Sequence, residues 1–222
     1  MDAASNSFSA NEQNLVLDHI IKSRRTVRKF KDEAPPRPLI ELVLQAGLLA
    51  PYGQIAVTRD DFRRFVVIPR ESETTAKAAS LIKRKGASMY KELEERMTRE
   101  NLPKGKEGRY MRFLKMIGQQ GLPTLGKVPY YVVVAEQKGT PDAASQSIAH
   151  CLENMWLKAT ALGLGLQLLS ITERMAEDKE FCELLGIPFG EFALNGCLIG
   201  YPDDSPSQPS KRPSLDEVTK WL

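Results

Sequence analysis

Three arginines and a threonine fall within five positions, Arg24-Arg25-Thr26-Val27-Arg28, and a second basic pair, Lys211-Arg212, stands near the C-terminus. Guanidinium forks grip phosphate oxygens bidentately, and the Thr26 hydroxyl adds a further hydrogen bond. Taken alone, the arginines also read as solvated charges at the end of a helix, where the dipole favours cations, and Lys211 and Arg212 as exposed tail charges. Taken together, the two groups offer what a buried phosphate dianion requires, several cations converging from separate segments.

The turn Pro51-Tyr52-Gly53-Gln54 supplies backbone N–H groups, a carboxamide and an aromatic face. These suit a flat heterocycle with polar edges, although a plain helix stop has the same composition. Ser170 and Thr172 follow an apolar run and place hydroxyl donors beside a ligand or cap the next helix. Other chemistries find less support. Gly163-Leu164-Gly165 lacks the G-x-G-x-x-G spacing and closes a helix instead of opening one. Cys151, Cys182 and Cys197 form no C-x-x-C, and His19 and His150 are the only histidines, so a disulfide framework, zinc site or haem site is not expected. Cys151 lies on an apolar helical face, as core filler does. No catalytic acid, base or nucleophile and no metal ligand set stands out.

The elements that must hold these residues can be read from periodicity. With 222 residues, 42% hydrophobic and 27% charged, one globular domain over 1–222 is expected. A net charge of +3 with interspersed signs disfavours nucleic acid as a partner. No stretch of about 18 apolar residues occurs and the N-terminus lacks a basic and then apolar leader, so no membrane association and a cytoplasmic setting are expected. Helical spacing predicts helices over about 11–23 with Asn11 as N-cap, from Leu39 to Leu49, over 74–99, 109–117, 143–162 and 176–185, and after Ser214. Strands are predicted at 65–68, 130–135, 166–171 and 192–200, the second buried on both faces. A break at Leu102-Pro103-Lys104-Gly105 divides a charged stretch over about 72–118, which reads as an excursion from the core or a lid. A Pro/Ser-rich arm over 202–222 ends in an apolar stripe, Leu215, Val218 and Trp221, expected to dock.

Four blocks in order resemble the nitroreductase superfamily of FMN enzymes over nearly the whole chain, from about Leu15 to Trp221. Arg24-Arg25-Thr26-Val27-Arg28-Lys29-Phe30 is similar to the family's R-R-S-x-R-x-F, and Gln45-Ala46-Gly47-Leu48-Leu49-Ala50-Pro51-Tyr52-Gly53 to its helix ending in A-P-S-x. Ala161-Leu162-Gly163-Leu164-Gly165 resembles the close of its central helix, and Ile199-Gly200-Tyr201-Pro202 with Lys211-Arg212-Pro213-Ser214-Leu215 its C-terminal blocks. The resemblance implies an α+β, three-layer fold with a mixed central sheet flanked by helices, an extended C-terminal arm, and a homodimer with FMN at the subunit interface. It implies that Arg24, Arg25, Thr26, Arg28, Lys211 and Arg212 hold the FMN phosphate and ribityl chain. Leu168, Leu169 and Ser170 would then lie along the flavin ring, and Pro51, Tyr52, Gly53 and Gln54 at its edge. The implied reaction passes electrons from NAD(P)H to a small organic acceptor, a nitroaromatic, quinone or similar compound, by a ping-pong hydride mechanism.

This sequence departs from the family in three places. Tyr52 stands where a small residue is usual, the N-x-Q-P-W pattern is missing with Gln54 as substitute, and a polar piece, Thr58-Arg59-Asp60-Asp61, precedes the strand. Reductive dehalogenases of the iodotyrosine deiodinase kind and oxygen-using flavin-fragmenting enzymes share the frame. Tyr90, Lys91, Glu92, Glu94 and Glu95 supply the residue types with which such a dehalogenase grips an amino acid. A non-catalytic flavin-binding protein is the alternative outside enzymes.

Overall fold

The apolar run at 130–135 forms the middle of a four-stranded sheet in the computed structural model, which describes residues 8–54, 61–100, 107–203 and 211–222. The strands are β1 (Arg63–Pro69), β2 (Tyr130–Gln137), β3 (Gly165–Leu168) and β4 (Phe192–Gly200), in the order β1-β2-β4-β3. Each neighbouring pair is antiparallel. Parallel pairing enters at an isolated bridge between Thr26 and Leu166 on the outer side of β3. The predicted break at 102–105, the polar residues 58–60 and the 204–210 part of the arm lie outside the described residues.

Side chains of β2 alternate between two cores, as a strand covered on both faces requires. Tyr131, Val133 and Ala135 enter one, with Phe192, Leu194 and Leu198 of β4. Val132 and Val134 enter the other, with Cys197 and Ile199. The helices are α1 (Ala10–Ser23), α2 (Arg37–Leu48), α3 (Glu73–Arg99), α4 (Glu107–Gln120), α5 (Ala144–Ala161), α6 (Ile171–Arg174), α7 (Lys179–Leu184) and α8 (Leu215–Val218). Ile40 and Val43 of α2 and Ile148, Leu152 and Met155 of α5 cover the second core. Ala78, Leu81 and Ile82 of α3, Ile117 of α4 and Phe181 of α7 cover the first. The result is a three-layer α+β fold.

Local chemistry moves several predicted boundaries. Helix α1 starts at Ala10 because Ser9 and Glu12 form a reciprocal capping box, which leaves Asn11 inside the helix. Strand β1 begins at Arg63, whose register partner across the sheet is Glu136. Strand β3 stops at Leu168: the Leu169 N–H still donates 2.8 Å to the Gly196 carbonyl, but Ile171 already opens a helical turn. The charged stretch is rooted in the core through the first turns of α3. A Cβ on Gly86 would meet Ile117 at 2.5 Å, which is why α3 and α4 can cross so closely. The terminal stripe does not dock within the chain, since Leu215, Val218 and Trp221 stay 72%, 65% and 90% exposed. None of the described helices is long and apolar enough to cross a membrane.

Candidate functional site

The basic segment leaves α1 at Arg24 and runs along the edge of the sheet. Thr26 bridges Leu166, and the Val27 N–H donates 3.2 Å to the Leu166 carbonyl. Further on, the Lys31 N–H donates 2.9 Å to the Tyr201 carbonyl, so the segment follows β3 and the end of β4. Gly165 makes this approach feasible, because a Cβ there would lie 2.8 Å from the Val27 side chain.

The three arginines have different surroundings. The Arg24 guanidinium sits 4.2 Å from the Trp156 ring centroid, with Nε 3.4 Å from Glu153 Oε1. Arg25 folds back, donating from Nη1 at 2.7 Å to the carbonyls of Lys22 and Arg24, where it complements the C-terminal end of α1. The Trp156 indole N–H donates 3.2 Å to the Arg25 carbonyl and ties the segment to α5. Arg28 is exposed, and Thr26 is half-buried. Lys211 and Arg212 are exposed too. Among the described residues no hydrogen bond or ion pair joins them to Arg24, Arg25, Thr26 or Arg28.

A second constellation surrounds the turn after α2. The Arg63 side chain, 1% exposed, pairs through Nε with Glu136 Oε2 at 2.6 Å. Its Nη1 donates to the carbonyls of Gly47 and Ala50 at 2.9 and 2.8 Å, and its Nη2 to that of Pro51 at 3.2 Å. One buried cation thereby serves three carbonyls at the end of α2, of which that of Gly47 also accepts from the Ala50 N–H at 3.1 Å. Tyr52 packs at a tilt against Phe62 with ring centroids 4.3 Å apart, and its hydroxyl donates 3.1 Å to the Gln137 carbonyl. Burial, then the Glu136 charge, push the Tyr52 phenol up from its ordinary value. Gln54 is buried with both ends of its carboxamide engaged: Nε2 donates 2.8 Å to the Gln137 carbonyl, and Oε1 accepts from the Gly139 N–H. The Gly53 N–H donates 2.8 Å to Ser147 Oγ near the start of α5. Pro51 and Gly53 are exposed and Tyr52 is half-exposed.

At the end of β3, Leu168 is exposed and Leu169 buried. Ser170 is exposed and its side chain does not cap α6, which leaves the hydroxyl open to a ligand. Thr172, by contrast, is fully buried 2.8 Å from the Tyr131 hydroxyl. A Cβ on Gly196 would collide with that pair, at 2.8 Å from Thr172 Oγ1. Cys151, Cys182 and Cys197 are free and buried. Burial pushes the Cys151 thiol up to about 12, the opposite of what a nucleophile requires. No metal-binding cluster occurs among the described residues. On α3 the Tyr90 hydroxyl donates 2.7 Å to Glu94, and Lys91 lies 3.9 Å from Glu95, so these side chains partner one another within the helix.

Arg63, Glu136, Glu153 and Trp156 escaped the sequence reading. Nothing local singles out the first pair, because a second charge, Arg64, follows Arg63 and the polar Gln137 follows Glu136.

Residues 21–201 match the family model described as "Nitroreductase family". The "Putative NAD(P)H nitroreductase YfhC" of Bacillus subtilis is 28% identical over 94% of this chain and 95% of its own length. Among solved structures, a BluB-like flavoprotein from Clostridium difficile is 25% identical with a TM-score of 0.68, covering 93% of this chain and 98% of that one. A nitroreductase with bound FMN from Bacteroides fragilis has a TM-score of 0.67 at 20% identity, with the same coverages, 93% and 98%.

Proposed function

The chain belongs to the nitroreductase family, and from that premise we propose that it is an FMN-dependent oxidoreductase passing electrons from NAD(P)H to a small organic acceptor, such as a nitroaromatic or quinone. The observation that carries this reading is the basic segment packed against β3. It brings Arg24 and Arg28, which we take as the phosphate-binding cations, onto the same sheet edge as Leu168 and the uncapped Ser170 hydroxyl.

The residues present fit the cofactor. Arg24, Arg25, Thr26 and Arg28, joined by Lys211 and Arg212, would hold the phosphate; Leu168, Leu169 and Ser170 would line the ring. Pro51, Tyr52, Gly53 and Gln54 would shape its edge, Gln54 by bracing the turn through Gln137 and Gly139. Bound flavin supplies the hydride acceptance and donation, and the protein supplies binding and orientation. In keeping with that division, the buried thiols are unsuited to nucleophilic work, and the exposed hydroxyl of Ser170 would serve as a hydrogen-bond donor to the ring and not as a base.

The turn is pinned to α5 at Ser147 and the basic segment at Glu153 and Trp156. Ser147 and Trp156 are nine residues apart, about 14 Å along a helix. We read the active form as a cytoplasmic homodimer in which residues 1–222 act as one domain and the sites lie at the subunit interface. Leu15, Val16, Leu17 and Ile21 of α1, all at least half exposed, and the undocked Trp221 arm are the apolar surfaces such an interface would cover. The α3–α4 pair would cover the site.

Anaerobic mixing with NADH or NADPH tests the reading. Bleaching of the flavin band at about 450 nm within seconds, and its return on adding a nitroaromatic or quinone, is expected. A flavin band that neither nicotinamide bleaches would mark a flavin-binding protein without this activity.

A further inference from the structure

We infer that Arg63 and Glu136 are positioning residues for the candidate site: they set the place of the Ala50–Gln54 turn and, through it, of Tyr52. The inference rests on the proposed function for its catalytic consequence but not for its structural content.

A buried ion pair is weak evidence of stabilisation, since apolar residues of the same volume often do as well. This pair does something such residues could not. Glu136 faces Arg63 across the β1–β2 ladder and orients its guanidinium from the strand side. The other edge of that guanidinium donates to the carbonyls of Gly47, Ala50 and Pro51, so three carbonyls within five residues converge on one planar cation. Beyond them, Tyr52 and Gln54 both donate to the Gln137 carbonyl, one residue after Glu136. The turn is thus referenced twice to the same end of β2. Glu136 Oε1 is buried without a partner among the described residues, a costly arrangement for a group that served packing alone. Tyr52, the departure from the family's small residue, is therefore held in a fixed place by parts of the chain distant in sequence.

The test compares the full-length protein with Arg63→Met, Arg63→Lys and the double variant Arg63→Met/Glu136→Leu. Amide hydrogen exchange over 45–54 is followed by mass spectrometry, with α7 peptides as control. The flavin band position and the acceptor KM and kcat are measured alongside. Expected are at least about tenfold faster exchange at Ala50 and Gly53, whose N–H groups are bonded to Gly47 and Ser147, in Arg63→Met and in the double variant, with α7 unchanged. A displaced flavin band and an acceptor KM raised several-fold more than kcat falls should accompany it, with partial rescue in Arg63→Lys. Should Arg63→Met not fold, Arg63→Lys carries the comparison, as its single ammonium cannot reach Glu136 and all three carbonyls at once. Wild-type exchange over 45–54 in a folded variant would overturn the inference. If the wild type binds no FMN, the proposed function fails, while the exchange data still decide the positioning role.

Discussion

The guanidinium of Arg24 lies over Trp156, 4.2 Å from the ring centroid, while the indole N–H of that same tryptophan donates to the carbonyl of Arg25. One side chain of α5 therefore fixes both the charge and the backbone of the basic segment. A charge-assisted contact to phosphate is worth about 1.5 to 3 kcal/mol, so Arg24→Ala should weaken FMN binding at least roughly tenfold. Trp156→Phe keeps a ring beneath the cation and loses the N–H, and should weaken binding only a few-fold; Trp156→Leu should lose more. Titration of flavin fluorescence quenching measures all three.

Gly165 and Val27 define how closely the segment approaches β3. A methyl group at 165 would lie 2.8 Å from the Val27 side chain, and a β-branched residue has little rotamer freedom with which to yield. Gly165→Ala should cost about 1 to 3 kcal/mol in urea unfolding and weaken FMN binding. Adding Val27→Ala should recover only part of both losses, because the Cβ it keeps lies 2.8 Å from the added methyl just as the two removed methyls do.

Alkaline stability follows from three buried acids. Burial raises the Cys151 thiol from 9.0 to about 12 and also raises the Cys197 thiol and the Tyr131 phenol. A group whose folded pKa exceeds its unfolded value contributes stability that is complete below the unfolded value and lost as pH rises toward the folded one. The melting temperature should be level from about pH 6 to 8 and fall above about 9. Cys151→Ala should soften that fall. A thiol reagent at about pH 8 should leave the native protein unmodified and react with all three cysteines after unfolding.

The exposed face of α1 should be covered by a second copy. Replacing Leu17 and Ile21, each 50% exposed, with glutamate should convert a dimer to a monomer by sedimentation velocity and reduce flavin retention. A dimer unaffected by the double substitution would place the interface elsewhere.

Most elements were legible because their signals are local. The 130–135 run announced a doubly covered strand, and Pro51 with Gly53 announced the end of α2. The Arg24–Arg28 cluster could be recognised for the same reason. Its support could not, since Trp156 reaches Arg25 across 131 positions. Arg63 and Glu136 read like ordinary strand-end charges; only the sheet register, which pairs residues 73 positions apart, turns them toward each other. Gln54 looked like a free carboxamide, and the structure engages both its ends with 137–139. The apolar stripe at Leu215, Val218 and Trp221 was visible, but a stripe specifies burial without specifying which chain supplies the covering surface.

Phosphate-dependent FMN binding is measured most directly by titrating flavin-stripped protein with FMN, read by absorbance and fluorescence, beside the same titration with riboflavin. Saturation at one FMN per chain is expected, with riboflavin bound far more weakly because Arg24, Arg28, Lys211 and Arg212 would have no phosphate to hold. Absence of FMN uptake, or equal affinity for the two flavins, would contradict it.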